Sequence, residues 1–276
     1  MEYYQFIFKS LTEDKKEIMI ALLSDIGFSG FEEEGEELKA FISKTDLKED
    51  QFENIISINN LDYSRSVIRE INWNEKWESG FEPVTIFYPA TDRPFVHLRA
   101  GFHQKDESAV YDIEVTPKMS FGTGHHATTY LMIEQMSQLD FNNKRVIDFG
   151  TGTGVLAILA EKLTAAFVIA IDNDDWSIEN AGENILKNNC KKISLFKANT
   201  IPVGQQSDII LANINLNIII ATLHDIKNAC KPGATILFSG IMTHDEPVIL
   251  KSLEDHSIKV EECRFRDNWL IIRAKV

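Results

Sequence analysis

The second half of the sequence alternates short apolar runs with longer amphipathic segments, and this alternation constrains the fold more than any other feature. Runs typical of strands occupy residues 145–149, 167–171, 193–197, 208–212 and 234–239. Segments with helical spacing follow at residues 155–163, 176–188, 215–229 and 245–256. Strands alternating with helices predict a parallel sheet that is covered by helices on both faces. Two closing runs, 258–266 and 269–275, are separated only by a short turn, so they must pair antiparallel.

The first part of the chain, residues 1–70, predicts a separate small domain. It begins with Tyr4, Phe6 and Phe8, whose period of two is typical of a half-buried strand. A helix follows, then two strands that flank Gly35 as a hairpin, a second helix and a last strand. This βαββαβ order is that of a ferredoxin-like α+β unit.

A polar connection, residues 71–83, links this unit to the rest of the chain. It contains Trp73 and Trp77, which lie four residues apart and would share one face of a short helix. We expect both rings to pack on the second domain. The predicted organisation is therefore a domain of residues 1–70, a linker of residues 71–83 and a larger domain of residues 84–276.

Charge and composition narrow the class of partner. The 276 residues include 28 Lys and Arg against 42 Asp and Glu, a net charge of −14, which excludes an extended DNA or RNA surface. No apolar stretch approaches the roughly 18 residues of a membrane span, and residues 1–10 lack the pattern of a signal peptide. We therefore expect a soluble cytoplasmic protein.

The three cysteines are widely spaced and match no metal site, so we expect reduced packing residues.

The strongest local motif is VIDFGTGTGVLAI, where an apolar strand ends at Asp148 and a loop with Gly150, Gly152 and Gly154 leads into a helix. Such a loop lets a ligand approach the backbone closely at the carboxyl edge of an α/β sheet. The spacing is G-x-G-x-G. It therefore matches neither the dinucleotide fingerprint G-x-G-x-x-G nor a P-loop, which requires Gly-Lys-Ser/Thr.

A carboxylate follows the next strand. Asp172 comes directly after FVIAI, 22 residues beyond Gly150. A carboxylate at the tip of the second strand can accept hydrogen bonds from both hydroxyls of a ribose, which indicates an adenosine-containing cofactor. Asp174 and Asp175 are interpreted as caps of the following helix.

Two further polar groups precede helices. Asn213 ends the strand in ILANINLN and can hydrogen-bond a ligand, although a turn or cap role for Asn213 and Asn215 competes with this interpretation. The segment MSFGTGHHATT leads into the helix before the glycine strand. Its adjacent histidines, His125 and His126, lack the spacing of zinc ligands, so we expect no metal site.

Together these motifs are similar to those of the class I S-adenosylmethionine-dependent methyltransferases. FGTGHHATT before DFGTGTGVLAI, followed by AIDND and LANIN, resembles more specifically the bacterial ribosomal protein methyltransferase family called PrmA, which modifies the eleventh protein of the large ribosomal subunit. The resemblance covers the chain from about residue 73 onward. It implies an α/β fold, Rossmann-like, with a mostly parallel seven-stranded sheet and an antiparallel C-terminal strand, preceded by the ferredoxin-like domain in a substrate-recognition role.

The resemblance also implies site residues. S-adenosylmethionine would be bound by Thr129, Gly150, Gly152, Asp172 and Asn213. The residue pattern itself supports the two glycines, Asp172 and Asn213, whereas Thr129 is nominated by the resemblance alone. Methyl transfer to an amine is an in-line displacement that depends on positioning. We therefore expect Asn213 to position the amine, with no dedicated general base.

The implied reaction methylates lysine side-chain and N-terminal amines of a basic ribosomal protein. An acidic enzyme would attract such a protein when it is free, and it would avoid the rRNA of an assembled ribosome. The acidic run at residues 32–37 is a candidate contact, and a solvated hairpin tip is its alternative. We expect no membrane contact, and the reaction requires no oligomer.

Alternative functions stay open at this point. Methylation of a glutamine amide or an adenine uses Asn or Asp followed by Pro-Pro-aromatic, whereas here Asn213 is followed by Ile-Asn-Leu. A methyltransferase acting on another protein or a small amine remains an alternative. A nicotinamide-dependent oxidoreductase is opposed by the glycine spacing, and a catalytically silent binding module is the third class.

Overall fold

The computed structural model describes residues 2–9, 11–28, 30–35, 37–59, 61–69, 81–118 and 122–276. The chain divides into two compact units, residues 1–76 and 77–276. Most of the predicted linker, together with Trp73 and Trp77, lies outside the described residues, so the expectation about these two rings stays a prediction.

The first unit is a four-stranded antiparallel sheet with two helices. Its elements are β1 (Glu2–Phe8), α1 (Glu13–Asp25), β2 (Gly30–Glu34), β3 (Glu37–Ser43), α2 (Glu49–Asn59) and β4 (Tyr63–Arg69). The strand order is β2-β3-β1-β4. The predicted βαββαβ order is therefore confirmed. Its core contains Phe6, Phe28 and Phe52, and the rings of Phe6 and Phe52 lie 4.4 Å apart.

The second unit starts with a small sheet of β5 (Val84–Phe87), β6 (Pro94–Arg99) and β7 (Tyr111–Glu114). β5 and β6 pair antiparallel, and β6 and β7 pair parallel. After β7 the chain leads to helix α3 (Ala127–Met136), which packs against the main sheet. This segment places the histidine motif beside the carboxyl edge of that sheet.

The main sheet has seven strands in the order β10-β9-β8-β11-β12-β14-β13. The strands are β8 (Arg145–Phe149), β9 (Phe167–Asp172), β10 (Ile193–Lys197), β11 (Ser207–Asn213), β12 (Cys230–Met242), β13 (Lys259–Arg266) and β14 (Trp269–Lys275). The helices between them are α4 (Val155–Lys162), α5 (Asp175–Lys187), α6 (Leu216–Asn228) and α7 (Glu246–Asp255). Only β14 of these seven strands runs against its neighbours, as predicted. The class I methyltransferase fold is thus confirmed.

β12 is longer than its apolar run predicts. It extends to Met242 because its end pairs with the start of β14, where Met242 is opposite Trp269. It begins at Cys230, which pairs with Ser207 at the start of β11. Pairing with both neighbours thus extends a strand into residues whose local sequence indicates a turn.

Both faces of the main sheet are buried. In β11, Ile209 and Leu211 pack into the core on one face, and Ile210 and Ala212 pack into the core on the other. A strand covered on both sides needs apolar residues at every position, which explains its continuous apolar run. Because β8 lies between β9 and β11, the strand order reverses there and opens a crevice at the carboxyl ends of the strands.

The three cysteines form no disulfide bond with one another. Cys190, Cys230 and Cys263 are free thiols. Burial raises the pKa of Cys230 to about 12, so this thiol stays protonated at neutral pH. In the described part of the chain, none of the helices combines the length and the apolar character that a membrane crossing needs.

Candidate active site

A cavity of about 360 Å³ opens at the carboxyl ends of β8, β9, β11 and β12. Four of the five residues proposed for the cofactor lie on its wall: Gly150, Gly152, Asp172 and Asn213. The other lining residues are His126, Phe149, Asn173, Ser177, Ala198, Asn199, Ile214, Asn215, Ile218, Gly240 and Trp269. The topology thus brings together residues that are far apart in sequence, such as His126 and Trp269, which are 143 positions apart.

The glycine loop is held against the end of β9. The N–H groups of Gly150 and Thr151 both donate to the carbonyl oxygen of Ile171, at 2.8 and 2.9 Å. Gly150 has φ +78°, and a Cβ at this position would overlap the side chain of Ile214. Only glycine therefore lets the loop and the β11–α6 turn approach each other here.

Asp172 lies at the tip of β9 and holds two backbone groups. Its Oδ2 accepts a hydrogen bond from the N–H of Gly152 at 2.9 Å, and its Oδ1 accepts one from the N–H of Asp174 at 3.1 Å. Asp174 caps α5, because its side chain accepts from the N–H of Ser177 at 2.9 Å. Asp174 is thus the cap, as predicted, whereas Asp175 is the first residue of α5 and its carboxylate pairs with Lys197 at 2.6 Å. Asp172 retains acceptor capacity toward the cavity, and its contact with a ribose stays a prediction.

Asp148 lies beneath the loop and is completely buried. Its Oδ2 accepts from the hydroxyl of Thr151 at 2.6 Å and from the N–H of Ala157 at 3.1 Å. Its Oδ1 has no hydrogen-bond partner among the described residues. Burial raises the pKa of Asp148 to about 7, and the negative charge of Asp172 adds to the rise. Asp148 fastens the loop to α4 and is absent from the cavity wall.

Asn213 ends β11 with its amide at the cavity. Its Nδ2 donates to the hydroxyl of Thr129 at 3.4 Å, and its buried Oδ1 has no hydrogen-bond partner among the described residues. Thr129 is fully buried on α3 behind Asn213, outside the cavity lining. Asn215 caps α6, because its side chain accepts from the N–H of Ile218 at 3.0 Å. The competing cap role thus belongs to Asn215, and ligand binding by the amide oxygen of Asn213 stays a prediction.

Two aromatic residues of the wall, His126 and Trp269, were not predicted to line the cavity, although the sequence singles out His126 as one of two adjacent histidines. The side chain of His126 caps α3 by accepting from the N–H of Thr128, and burial lowers its pKa. Its ring meets that of Trp269 edge to face, with centroids 4.6 Å apart. His126 was detectable as a polar residue directly before a helix. Trp269 had no local signal, because it reaches the cavity only through the pairing of β14 with β12.

No group of three His, Cys, Asp or Glu side chains within the described ranges is arranged to hold a metal ion. The polar side-chain groups of the cavity wall are one carboxylate, four carboxamides, a hydroxyl, an imidazole and an indole. This set suits a polar organic ligand with hydroxyl and amino groups.

Comparisons with known proteins agree with this geometry. The family described as ribosomal protein L11 methyltransferase (PrmA) matches residues 11–276. The ribosomal protein L11 methyltransferase of Porphyromonas gingivalis is 37% identical over 272 residues, which cover 95% of this chain and 91% of that protein. The one from Phocaeicola vulgatus is 33% identical and covers 99% of both chains.

A solved structure supports the same assignment. The crystal structure of ribosomal protein L11 methylase from Lactobacillus delbrueckii subsp. bulgaricus superposes with a TM-score of 0.61 at 26% identity, covering 68% of this chain and 97% of that one. The resemblance recognised in the sequence motifs is therefore confirmed. The chain belongs to the ribosomal protein L11 methyltransferase family, and it is a methyltransferase whose cofactor is S-adenosylmethionine.

Proposed function

We propose that this chain methylates lysine side-chain and N-terminal amines of ribosomal protein L11, with the reaction taking place in the cavity beside Asn213. The single observation that carries the proposal is the buried amide oxygen of Asn213, which has no partner among the described residues and belongs to a residue of the cavity wall. A buried acceptor without a partner is costly unless a ligand supplies a donor. The N–H groups of an amine are such donors.

The residues of the cavity fit S-adenosylmethionine. Asp172 offers carboxylate acceptors for ribose hydroxyls, and Gly150 and Gly152 present a backbone free of side chains. The hydroxyl of Thr129 accepts a hydrogen bond from the amide of Asn213. Thr129 would therefore orient Asn213 in the cofactor site without lining the cavity. The relatives named above are called methyltransferases, which supports S-adenosylmethionine as the cofactor.

The bound cofactor supplies an electrophilic methyl carbon on a sulfonium centre. The attacking amine must be neutral, because its lone pair forms the new N–C bond. Asn213 accepts one N–H of this amine through Oδ1 and thereby aims the lone pair. We assign no dedicated general base, so the proton that the amine gives up passes to water. Asp148, the buried carboxylate beneath the loop, does not line the cavity.

The first unit is the candidate recognition domain for the protein substrate. The net charge of −14 favours a basic partner, and a free ribosomal protein in the cytoplasm is the form that an acidic enzyme would capture. The ferredoxin-like order of this unit agrees with that role.

The acidic run of residues 32–37 is partly neutralised within its own unit. Glu32 lies 3.9 Å from Lys39, Glu33 lies 3.7 Å from Lys16, and Glu37 lies 3.3 Å from Lys9. Glu32 and Glu33 are nevertheless exposed, with 63% and 48% of their side-chain surface accessible, so a basic partner can compete for them.

Replacing Asn213 by Ala tests the proposal. Loss of the amide oxygen removes one hydrogen bond to the amine, so turnover at saturating cofactor should fall roughly 10- to 100-fold. The measurement is mass spectrometry of free ribosomal protein L11 after incubation with the enzyme and labelled S-adenosylmethionine. Asn142→Ala, on an exposed loop, is the matched control and should behave like the wild type.

Wild-type turnover in Asn213→Ala would remove Asn213 from the mechanism. An L11 that stays unmethylated by the wild-type enzyme would end the substrate assignment while leaving the fold intact. Methylation of another basic protein or a small amine in the same assay would then replace L11 as the substrate.

A further inference from the structure

A chain of hydrogen bonds connects the glycine loop to the segment that enters α3. The N–H of Thr116 donates to Oδ1 of Asn184 at 2.8 Å, and Nδ2 of Asn184 donates to the carbonyl oxygen of Thr153 at 2.9 Å. The hydroxyl of Thr153 then donates to the carbonyl oxygen of Gly122 at 2.9 Å. The first two bonds share the conjugated amide of Asn184 and polarise one another, whereas the third is made by the separate hydroxyl of Thr153.

The central members of this chain are inaccessible to solvent. Thr153 and Asn184 are both fully buried, and neither lines the cavity. Water therefore cannot replace a lost partner of Thr153 or Asn184 without entering the interior. Gly122, at the end of the chain of hydrogen bonds, is half-buried.

The approach of Gly122 to Thr153 also depends on the residue type at both ends. Gly122 has φ +107°, and a Cβ there would lie 2.7 Å from the Thr153 hydroxyl oxygen. A side chain at position 122 would push the two segments apart. Residues 122–126, which we call the entry segment, are thus fitted against the loop, and their last member, His126, lies on the cavity wall and caps α3.

We propose that Thr153 is a positioning residue for methyl transfer: its hydroxyl fixes the entry segment to the glycine loop and so sets the wall of the cavity at His126. The inference rests on the proposed function, because it assigns the entry segment to the reaction that occurs in this cavity. Thr153 does not line the cavity, so it acts on the reaction through its contact with Gly122. Asn184 supports the arrangement by holding the Thr153 carbonyl from α5.

Thr153→Val is the test, since it removes the hydroxyl with little change in shape. Amide hydrogen exchange of the apo protein should accelerate in a peptide that covers residues 122–130 and stay unchanged in one that covers α6. Turnover should fall about tenfold, while the affinity for S-adenosylhomocysteine and the KM for S-adenosylmethionine should change less than about threefold. Thr153→Ser, which keeps the hydroxyl, should restore both exchange and turnover.

Thr222→Val is the matched control. Its hydroxyl also donates to a backbone carbonyl, that of Ile218 at 2.7 Å, but within a single helix. This variant should leave exchange at residues 122–130 at the wild-type rate. Thr153→Ala also removes the hydroxyl and should give the same results. It keeps the proposal testable if Thr153→Val fails to fold.

Three results would overturn the proposal. The first is wild-type exchange at residues 122–130 in both hydroxyl-free variants, and the second is a loss of turnover that comes entirely from a higher KM for the cofactor. The third is an equal loss in Thr153→Ser. Hydrogen exchange and S-adenosylhomocysteine binding need no protein substrate. They therefore decide on Thr153 even where the wild-type chain leaves L11 unmethylated and the proposed function fails.

Discussion

At the scale of single residues, the site separates groups that face the cavity from groups that hold them. Asp172 and Asn213 face the cavity, whereas Asp148 and Thr129 lie behind them. The two aspartates differ most: Asp172 lies at the cavity with both oxygens bonded to backbone N–H groups, and Asp148 is fully buried with one oxygen unpartnered. Burial without a countercharge favours the protonated form of Asp148.

This environment predicts a pH-dependent stability that Asp148→Asn removes. The folded pKa, about 7, lies above the ordinary aspartate pKa of 3.8, so the folded state binds more protons than the unfolded state between these two values. Stability from this group therefore falls as pH rises from 3.8 to about 7 and stays low above that window. Asparagine keeps the oxygen that accepts from Thr151 and Ala157 and carries no charge.

Thermal unfolding of the apo protein measures this effect. The melting temperature of Asp148→Asn minus that of the wild type should increase as pH rises through the window. Taking the difference between the two proteins cancels the titration of the other groups. A difference that stays constant from pH 3.8 to about 7 would show that Asp148 is ionised in the folded protein.

At the scale of elements, the hairpin of β2 and β3 presents the acidic run in the first unit. Glu32 and Lys39 are directly opposite in the register, and Glu37 pairs with Lys9 of the neighbouring β1 segment. Cross-strand pairs of this kind stabilise a sheet weakly and are screened by salt. The same carboxylates are therefore available to a basic partner at small cost.

Charge removal in this hairpin tests that availability. Glu32→Gln combined with Glu37→Gln should raise the KM for L11 about three- to tenfold at low salt, with kcat unchanged, and the effect should fade at high salt. Steady-state methylation at two salt concentrations is the measurement. Glu254→Gln with Asp255→Asn on α7 removes equal charge elsewhere and is the control. Equal KM values for the two double variants would assign the run to a solvated tip.

Sequence patterns predicted the centre of the main sheet well because β8, β9 and β11 are buried on both faces and leave a continuous apolar signature. Gly150, Asp172 and Asn213 were found for a related reason: each follows such a strand, and parallel strands place their ends at one edge. Trp269 was missed because its position depends on the register between β12 and β14. The burial of Thr129 behind Asn213 likewise depends on the packing of α3, which periodicity does not encode.

At the scale of the whole molecule, the two compact units have separate cores. The first core is aromatic and includes Phe6 and Phe52, and the second is built on the two faces of the main sheet. Within the described part of the chain, the residues that line the cavity all belong to the second unit. Damage to the first core should therefore leave cofactor binding intact.

Phe52→Ala tests this independence. The ring is fully buried, so its loss should lower the free energy of unfolding of the first unit by about 3–5 kcal/mol. Calorimetry should show a lowered transition for the first unit, while S-adenosylhomocysteine binding keeps its wild-type affinity. L11 methylation should fall through a higher KM. A loss of cofactor affinity would instead show that the two units fold as one.

The position of β14 has a consequence for biosynthesis. β14 is translated after every other strand of the main sheet, yet it lies between β12 and β13. Until residues 269–275 leave the ribosome, those two strands have unpaired edges that face each other, and the wall that Trp269 supplies is missing. A nascent chain stalled before Trp269 therefore displays the glycine loop and Asp172 but has an open cavity, so the catalytic pocket closes only as the last strand of its sheet is released.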